Sequence, residues 1–138
     1  MVWDGECSFC AYWIGYWQGL QPGFIDFEPY STAAERFKDI DNSHFKEASR
    51  LIDNDGRIYS GPDSAYKSLS LMSRLKWLHN LYQANAIFRF LSDQLYQLIA
   101  NNRNFFFKLT KLLFGSDPQN LRPFWTVYLF AIIFLILI

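Results

Sequence analysis

The sequence is short of the features that most often announce a function. Its 138 residues carry thirteen basic and thirteen acidic side chains, a net charge of zero. No basic excess is left to neutralise a nucleic-acid backbone, so a nucleic-acid partner is excluded. Charged residues reach only 19% against 51% hydrophobic, which excludes disorder for the bulk of the chain. Two cysteines are too few for the framework of a disulfide-stapled scaffold. The two histidines, His44 and His79, lie far apart, so a structural zinc site lacks its second pair of ligands. No repeat and no low-complexity tract is present. The length admits one compact domain with an extension and leaves no room for two full domains.

Aromatics are plentiful at 20%, and apolar residues gather at one end. Phe124 to Ile138 reads FWTVYLFAIIFLILI, without a charge. As a helix it covers roughly 22 Å, short of the ~30 Å hydrocarbon core. It reads as a buried terminal element of a globular fold or as a transmembrane helix cut short. The second is expected, because Trp125 and Tyr128 stand where interfacial aromatics belong and Arg122-Pro123 marks the entrance. Ahead of it, Asn104 to Phe114 carries Lys108 and Lys111 on an otherwise apolar helix, broken by Gly115 to Pro118. That helix suits a membrane interface or a packed face of the domain. Arg103, Lys108, Lys111 and Arg122 all precede the apolar run, so the globular part is expected on the cytoplasmic side. Met1 leads directly into a motif, and no signal peptide is expected.

The earlier residues mix strand and helix patterns. Met1 to Trp3 reads as a strand remnant, with residues possible before it. Ala11 to Gly19 reads as a helix closing at Gly19 and a Pro22-Gly23 turn. Phe24 to Glu28 alternates with strand period, and Ser31 to Ile40 opens with a Ser/Thr cap as a short helix. Ala48 to Asp53 and Arg57 to Ser60 flank Asn54-Asp55-Gly56, a hairpin turn. Pro62 suits a helix start, with Asp63 behind it, in a helix running to about Met72. Over Lys76 to Asn101, Leu78, Leu81, Tyr82, Ile87, Phe88, Leu91, Leu95, Leu98 and Ile99 form an apolar stripe, read as packing surface. A break near Asn85 divides it into two helices.

Both cysteines fall in one motif, Cys7-Ser8-Phe9-Cys10, which follows a strand end and opens a helix. At a helix N-terminus the unpaired N–H groups and the dipole stabilise a thiolate, so Cys7 is the candidate nucleophile. Cys10, one turn on, is placed to resolve a mixed disulfide. The competing structural reading, a disulfide closing so small a loop, removes little chain entropy. Asp4 reads as a proton acceptor, as a cap for the helix, or as turn chemistry with Gly5. His44 reads as an exposed loop residue rather than an approach to the site. Trp13, Tyr16 and Trp17 read as core, with a shield for Cys10 or a substrate shelf as the alternative.

Asp4-Gly5-Glu6-Cys7-Ser8-Phe9-Cys10 resembles the DxxCxxC signature of the DCC-type thiol-disulfide oxidoreductases. Asp53 to Gly61 with Ala65 resembles that family's hairpin and following helix start. Tyr96, Ile99, Ala100, Asn102 and Arg103 resemble its Y-x-x-I-A-x-N-R segment. The likeness spans Val2 to about Arg103, and some members of the family are fused to membrane domains. It implies a thioredoxin-like α/β core: strand, CxxC helix, strand, helix, hairpin, helix. That core is expected over residues 1–75, a helical extension over 76–118 and the apolar tail over 119–138. Thioredoxins carry a cis-proline before the third strand, and Asp41 to Ser49 has no proline, so that role has no bearer. The expected activity is thiol-disulfide exchange by Cys7 and Cys10, with Asp4 in the site and no cofactor or metal. Its substrate is a disulfide or dithiol, on a protein or a small molecule, and the membrane is met through the tail. The alternative is a non-catalytic membrane-tethered binding module in which the cysteines only stabilise a loop.

Overall fold

A computed structural model describes residues 1–20, 23–33, 35–37, 42–71 and 75–137. Along them run β1 (Val2–Trp3), α1 (Ser8–Leu20), β2 (Glu28–Pro29), α2 (Tyr30–Ala33), α3 (Asn42–Glu47) and β3 (Arg50–Ile52). Then follow β4 (Ile58–Ser60), α4 (Pro62–Ser70), α5 (Lys76–Ala84), α6 (Ala86–Asn101), α7 (Arg103–Phe114) and α8 (Phe124–Leu137). The strands form one sheet in the order β2-β1-β3-β4. β1 runs parallel to β2 and antiparallel to β3, and β3 pairs antiparallel with β4. The architecture is mixed α/β, with a helical C-terminal region.

The sheet is buried on both faces, as the period of two along its strands requires. Met1, Leu51 and Tyr59 meet Ile14 of α1 on one face. Val2 points the other way, onto Ala33 and Phe45. Phe45 is fully buried, so Phe45→Ala is expected to cost about 3–5 kcal/mol of unfolding free energy. A urea titration measures it, and the expected sign is a lower midpoint at unchanged slope.

The hairpin forms where the turn chemistry puts it. Gly56 takes φ 77, Asp53 and Arg57 close the turn at 2.9 Å, and Leu51 stands opposite Tyr59. Pro62 opens α4, where its missing N–H costs nothing. Asn85 separates α5 from α6 and caps α6, its side chain accepting the Phe88 N–H at 2.9 Å.

Several expectations are corrected. The strand read over Phe24 to Glu28 pairs only at Glu28–Pro29, because β1 offers just two residues to pair with. The alternation survives in burial: Ile25 and Phe27 pack on the core, while Phe24 is 69% exposed. The helix read over Ser31 to Ile40 is the single turn α2, and Ile40 lies outside the described residues, as do Pro22 and Met72. The loop expected before β3 holds a helix, α3, fixed by burial of Phe45. The helix read over Ala11 to Gly19 begins at Ser8, so the CxxC opens it with Cys7 at its N-terminus, as the motif's position implied. The stripe on α6 is only partly a packing surface. Phe88 and Ile99 are half-buried, whereas Ile87, Leu91, Leu95 and Leu98 are exposed.

The apolar tail forms α8, 14 residues long and about 21 Å at the helical rise. Its large side chains, among them Phe130, Ile132 and Phe134, are exposed. Among the described residues no helix is long and apolar enough to cross a membrane.

Candidate active site

The chain leaves β1 at Trp3 and turns at once. The Asp4 carbonyl accepts the Cys7 N–H at 3.2 Å, and Asp4 Oδ1 accepts the Glu6 N–H at 3.1 Å. Gly5 is required by space, since a Cβ there lies 2.7 Å from the Pro29 Cβ. Cys7 is the N-cap of α1: its carbonyl accepts the Ala11 N–H at 2.9 Å. Its Sγ accepts the Cys10 N–H at 3.2 Å, where a serine or aspartate oxygen sits in an ordinary cap. The Cys10 thiol donates to the same sulfur at 2.6 Å. Both cysteines are free and half-buried.

This arrangement splits the two thiols apart in acidity. The Cys10 S–H draws Cys7 down to about 6, helped by the Cys10 N–H and the Arg103 charge and opposed by burial. Cys10 is pushed far up, first because its proton is held by Cys7 and then by burial. At neutral pH Cys7 is therefore a thiolate and Cys10 a thiol. Because the Cys7 value is depressed, the thiolate persists above pH 6 and is lost as pH falls through it. Iodoacetamide reactivity is expected to titrate with a midpoint near 6, against ~8.5 for a free cysteine, and to vanish in Cys7→Ser.

Arg103, the first residue of α7, closes the site from the other end of the domain. Its Nη1 lies 3.0 Å from Asp4 Oδ2, and its Nη2 donates to the Lys46 and Glu47 carbonyls at 2.8 and 2.9 Å. Those carbonyls end α3 and lack helical donors of their own. The Tyr96 hydroxyl, on α6, accepts the Ser49 N–H at 3.3 Å. The segment before β3 is thus held by the C-terminal helices, with no proline in it.

Two clefts meet here. An open one of about 580 Å³ exposes Cys7 beside Ser8, Phe9 and Asn102. A second, of about 290 Å³, is lined by Cys10 and aromatic side chains. Another cleft, of about 340 Å³ around Asp26, Arg36 and Lys67, holds neither thiol.

The structure brings Asp4, Cys7 and Cys10 together, as the motif required. Asp4 serves the turn and the Arg103 pair, with one oxygen in each. His44 stays apart, exposed on α3 with Nδ1 3.5 Å from Glu47 Oε2. Trp17 packs on the core cluster, as read, and both Trp13 and Trp17 are half-buried and line the second cleft; the buried residues of α1 are Tyr12 and Ile14. Arg103 and Tyr96 were legible as part of a motif, but their roles were missed. The available signal was a lone arginine closing that motif. Among the described residues no group of three His, Cys, Asp or Glu is placed to hold a metal ion.

Fold and site together define a mixed α/β protein with a polarised dithiol at a helix N-terminus. The chain belongs to the DCC1-like thiol-disulfide oxidoreductase family, whose model matches residues 1–109. The matched stretch takes in Arg103 as well as the thiols, and the family supports an oxidoreductase role. No curated protein and no solved structure matches the chain.

Proposed function

We propose that the protein is a thioredoxin-like dithiol oxidoreductase, with Cys7 as nucleophile and Cys10 as resolving thiol. The observation that carries this reading is the 2.6 Å contact in which the Cys10 S–H donates a hydrogen bond to the Cys7 sulfur. That contact makes one sulfur reactive and keeps the other in reserve. The Cys7 thiolate attacks a substrate disulfide and forms a mixed disulfide, releasing one substrate thiol. Cys10 then attacks the Cys7 sulfur, closes the Cys7–Cys10 disulfide and releases the second thiol. Asp4 positions Arg103 and shapes the turn; both its oxygens are occupied, so proton transfer falls to the cysteines. The parallel β1/β2 pair beside the antiparallel β3/β4 pair supports the thioredoxin-like core. The test mixes the reduced protein with a model disulfide and titrates thiols. Two protein thiols consumed per disulfide cleaved is the expected result, and an unchanged titre overturns the reading.

The same proposal places the protein at a membrane, held by α8, with the thiols on the cytoplasmic side. There the dithiol form dominates and the protein acts as a reductant. The support is a charge-free helix with exposed side chains, preceded by Lys108, Lys111 and Arg122. Leu129 and Ile133 are both exposed, so Leu129→Glu with Ile133→Glu leaves the core intact. A charged side chain pushed into hydrocarbon costs up to about 2.5–3.5 kcal/mol. The double variant is expected to leave the floating fraction of a vesicle flotation assay almost entirely. Flotation equal to that of the unaltered chain removes the tail from the account.

A further inference from the structure

Beside the thiols lies a half-open cavity of about 290 Å³. Trp3, Cys10, Trp13, Trp17, Phe45 and Ile99 are among its walls. Its polar content is small. Asp4 and Arg103 at its edge neutralise each other. An apolar cleft with one or two placed polar groups is the usual form of a small-ligand pocket. Position gives it a purpose. Asp4, Phe9, Ala100 and Arg103 line both this cavity and the open cleft at Cys7. The cavity therefore shares a wall with the cleft in which a group attached to sulfur at Cys7 sits.

We propose that this cavity receives a compact apolar arm, aromatic or alicyclic, on the disulfide that Cys7 attacks. The proposal rests on the oxidoreductase reading above and names its substrate class. The arm's ring replaces water against tryptophan. Arms carrying free charge, as in glutathione disulfide, are disfavoured because the cavity's own charges are already paired. The chemistry is the exchange already described. Cys7 forms a bond to the arm-bearing sulfur, and the other substrate sulfur leaves and takes up a proton. Cys10 loses its proton as it displaces the arm-bearing thiol. The substrate gains the two electrons that the dithiol gives up.

The experiment uses the full chain and two matched substrates, the mixed disulfides of 2-mercaptoethanol with N-benzoylcysteamine and with N-acetylcysteamine. They differ only in phenyl against methyl, and each rate is divided by that with dithiothreitol. The benzoyl substrate is expected to react at least about tenfold faster, in line with apolar-pocket discrimination. Ala65→Leu and Ala100→Leu, from two different walls, are each expected to bring the ratio close to one. N-ethylbenzamide, which has no sulfur, is expected to quench tryptophan fluorescence and to slow only the benzoyl reaction. Peptide disulfides with Phe or Ala next to cysteine separate the sources of such an arm. A preference kept there marks a protein substrate, and one confined to the small disulfides marks a free thiol. Equal rates in the unaltered protein, or a ratio that neither leucine moves, overturn the cavity proposal and leave the oxidoreductase reading standing. Inertness toward every disulfide overturns both.

Discussion

Cys7→Ser is expected to bring disulfide cleavage down to the rate of the uncatalysed reagents, while Cys10→Ser accumulates a stable mixed disulfide. The two outcomes follow from unequal roles at one pair of sulfurs. Only Cys7 is a thiolate at neutral pH, so its removal leaves Cys10 as the sole thiol, half-buried and kept protonated by that burial. Serine at position 10 behaves differently. Its hydroxyl still donates toward Cys7, and the backbone N–H at 3.2 Å is untouched, so the nucleophile stays poised. Attack proceeds and resolution does not. Mass spectrometry of the intact protein reads the trapped adduct directly. Cys10→Ala takes away the donor as well, so its Cys7 titration midpoint is expected to rise while the Cys10→Ser midpoint moves less. Full activity in both single-serine variants returns the motif to a structural role.

The second large effect belongs to Arg103. Arg103→Gln withdraws a cation that draws Cys7 down, pairs with Asp4 at 3.0 Å and holds two carbonyls of α3. Two consequences are separable. The Cys7 alkylation midpoint is expected to move upward, which lowers the thiolate fraction below neutral pH and leaves the rate above pH 9 nearly intact. Stability is expected to fall by about 2–3 kcal/mol, since a part-buried carboxylate and two carbonyls lose a charged donor. Asp4→Asn in the same chain is expected to recover part of the stability, because no uncompensated charge remains, while the midpoint stays high. Recovery of both quantities together makes Arg103 a purely structural clamp.

What the sequence made legible was local. The CxxC at a helix start, the Asn54-Asp55-Gly56 hairpin, Pro62 at the head of α4 and the Asn85 break all follow from chemistry within a few residues. The errors have a common origin in partners distant along the chain. Ile25 and Phe27 alternate correctly, but the length of their ladder is decided by β1. The short helix α3 exists because Phe45 is buried under Val2 and Ala33, which no window of local sequence contains. Ile87, Leu91, Leu95 and Leu98 share a helical face with packing residues, and periodicity alone does not tell which half meets the domain. In the site, Asp4, Cys7 and Cys10 were visible as one motif, whereas Arg103 reaches them only through the fold.

The Asp4–Arg103 pair spans 99 positions, and that separation has a bearing on synthesis. At about 5–20 residues per second, on the order of 5–20 s pass between the emergence of Asp4 and that of Arg103. Until α7 arrives, the cysteines lack the guanidinium and the clamp that fixes the segment before β3. The nascent chain thus carries its thiols in a less acidic form, less prone to capture by disulfides around the ribosome. Part of the acidity of Cys7 comes only with α7, so a chain that fails to close its helical region carries a less strongly armed sulfur.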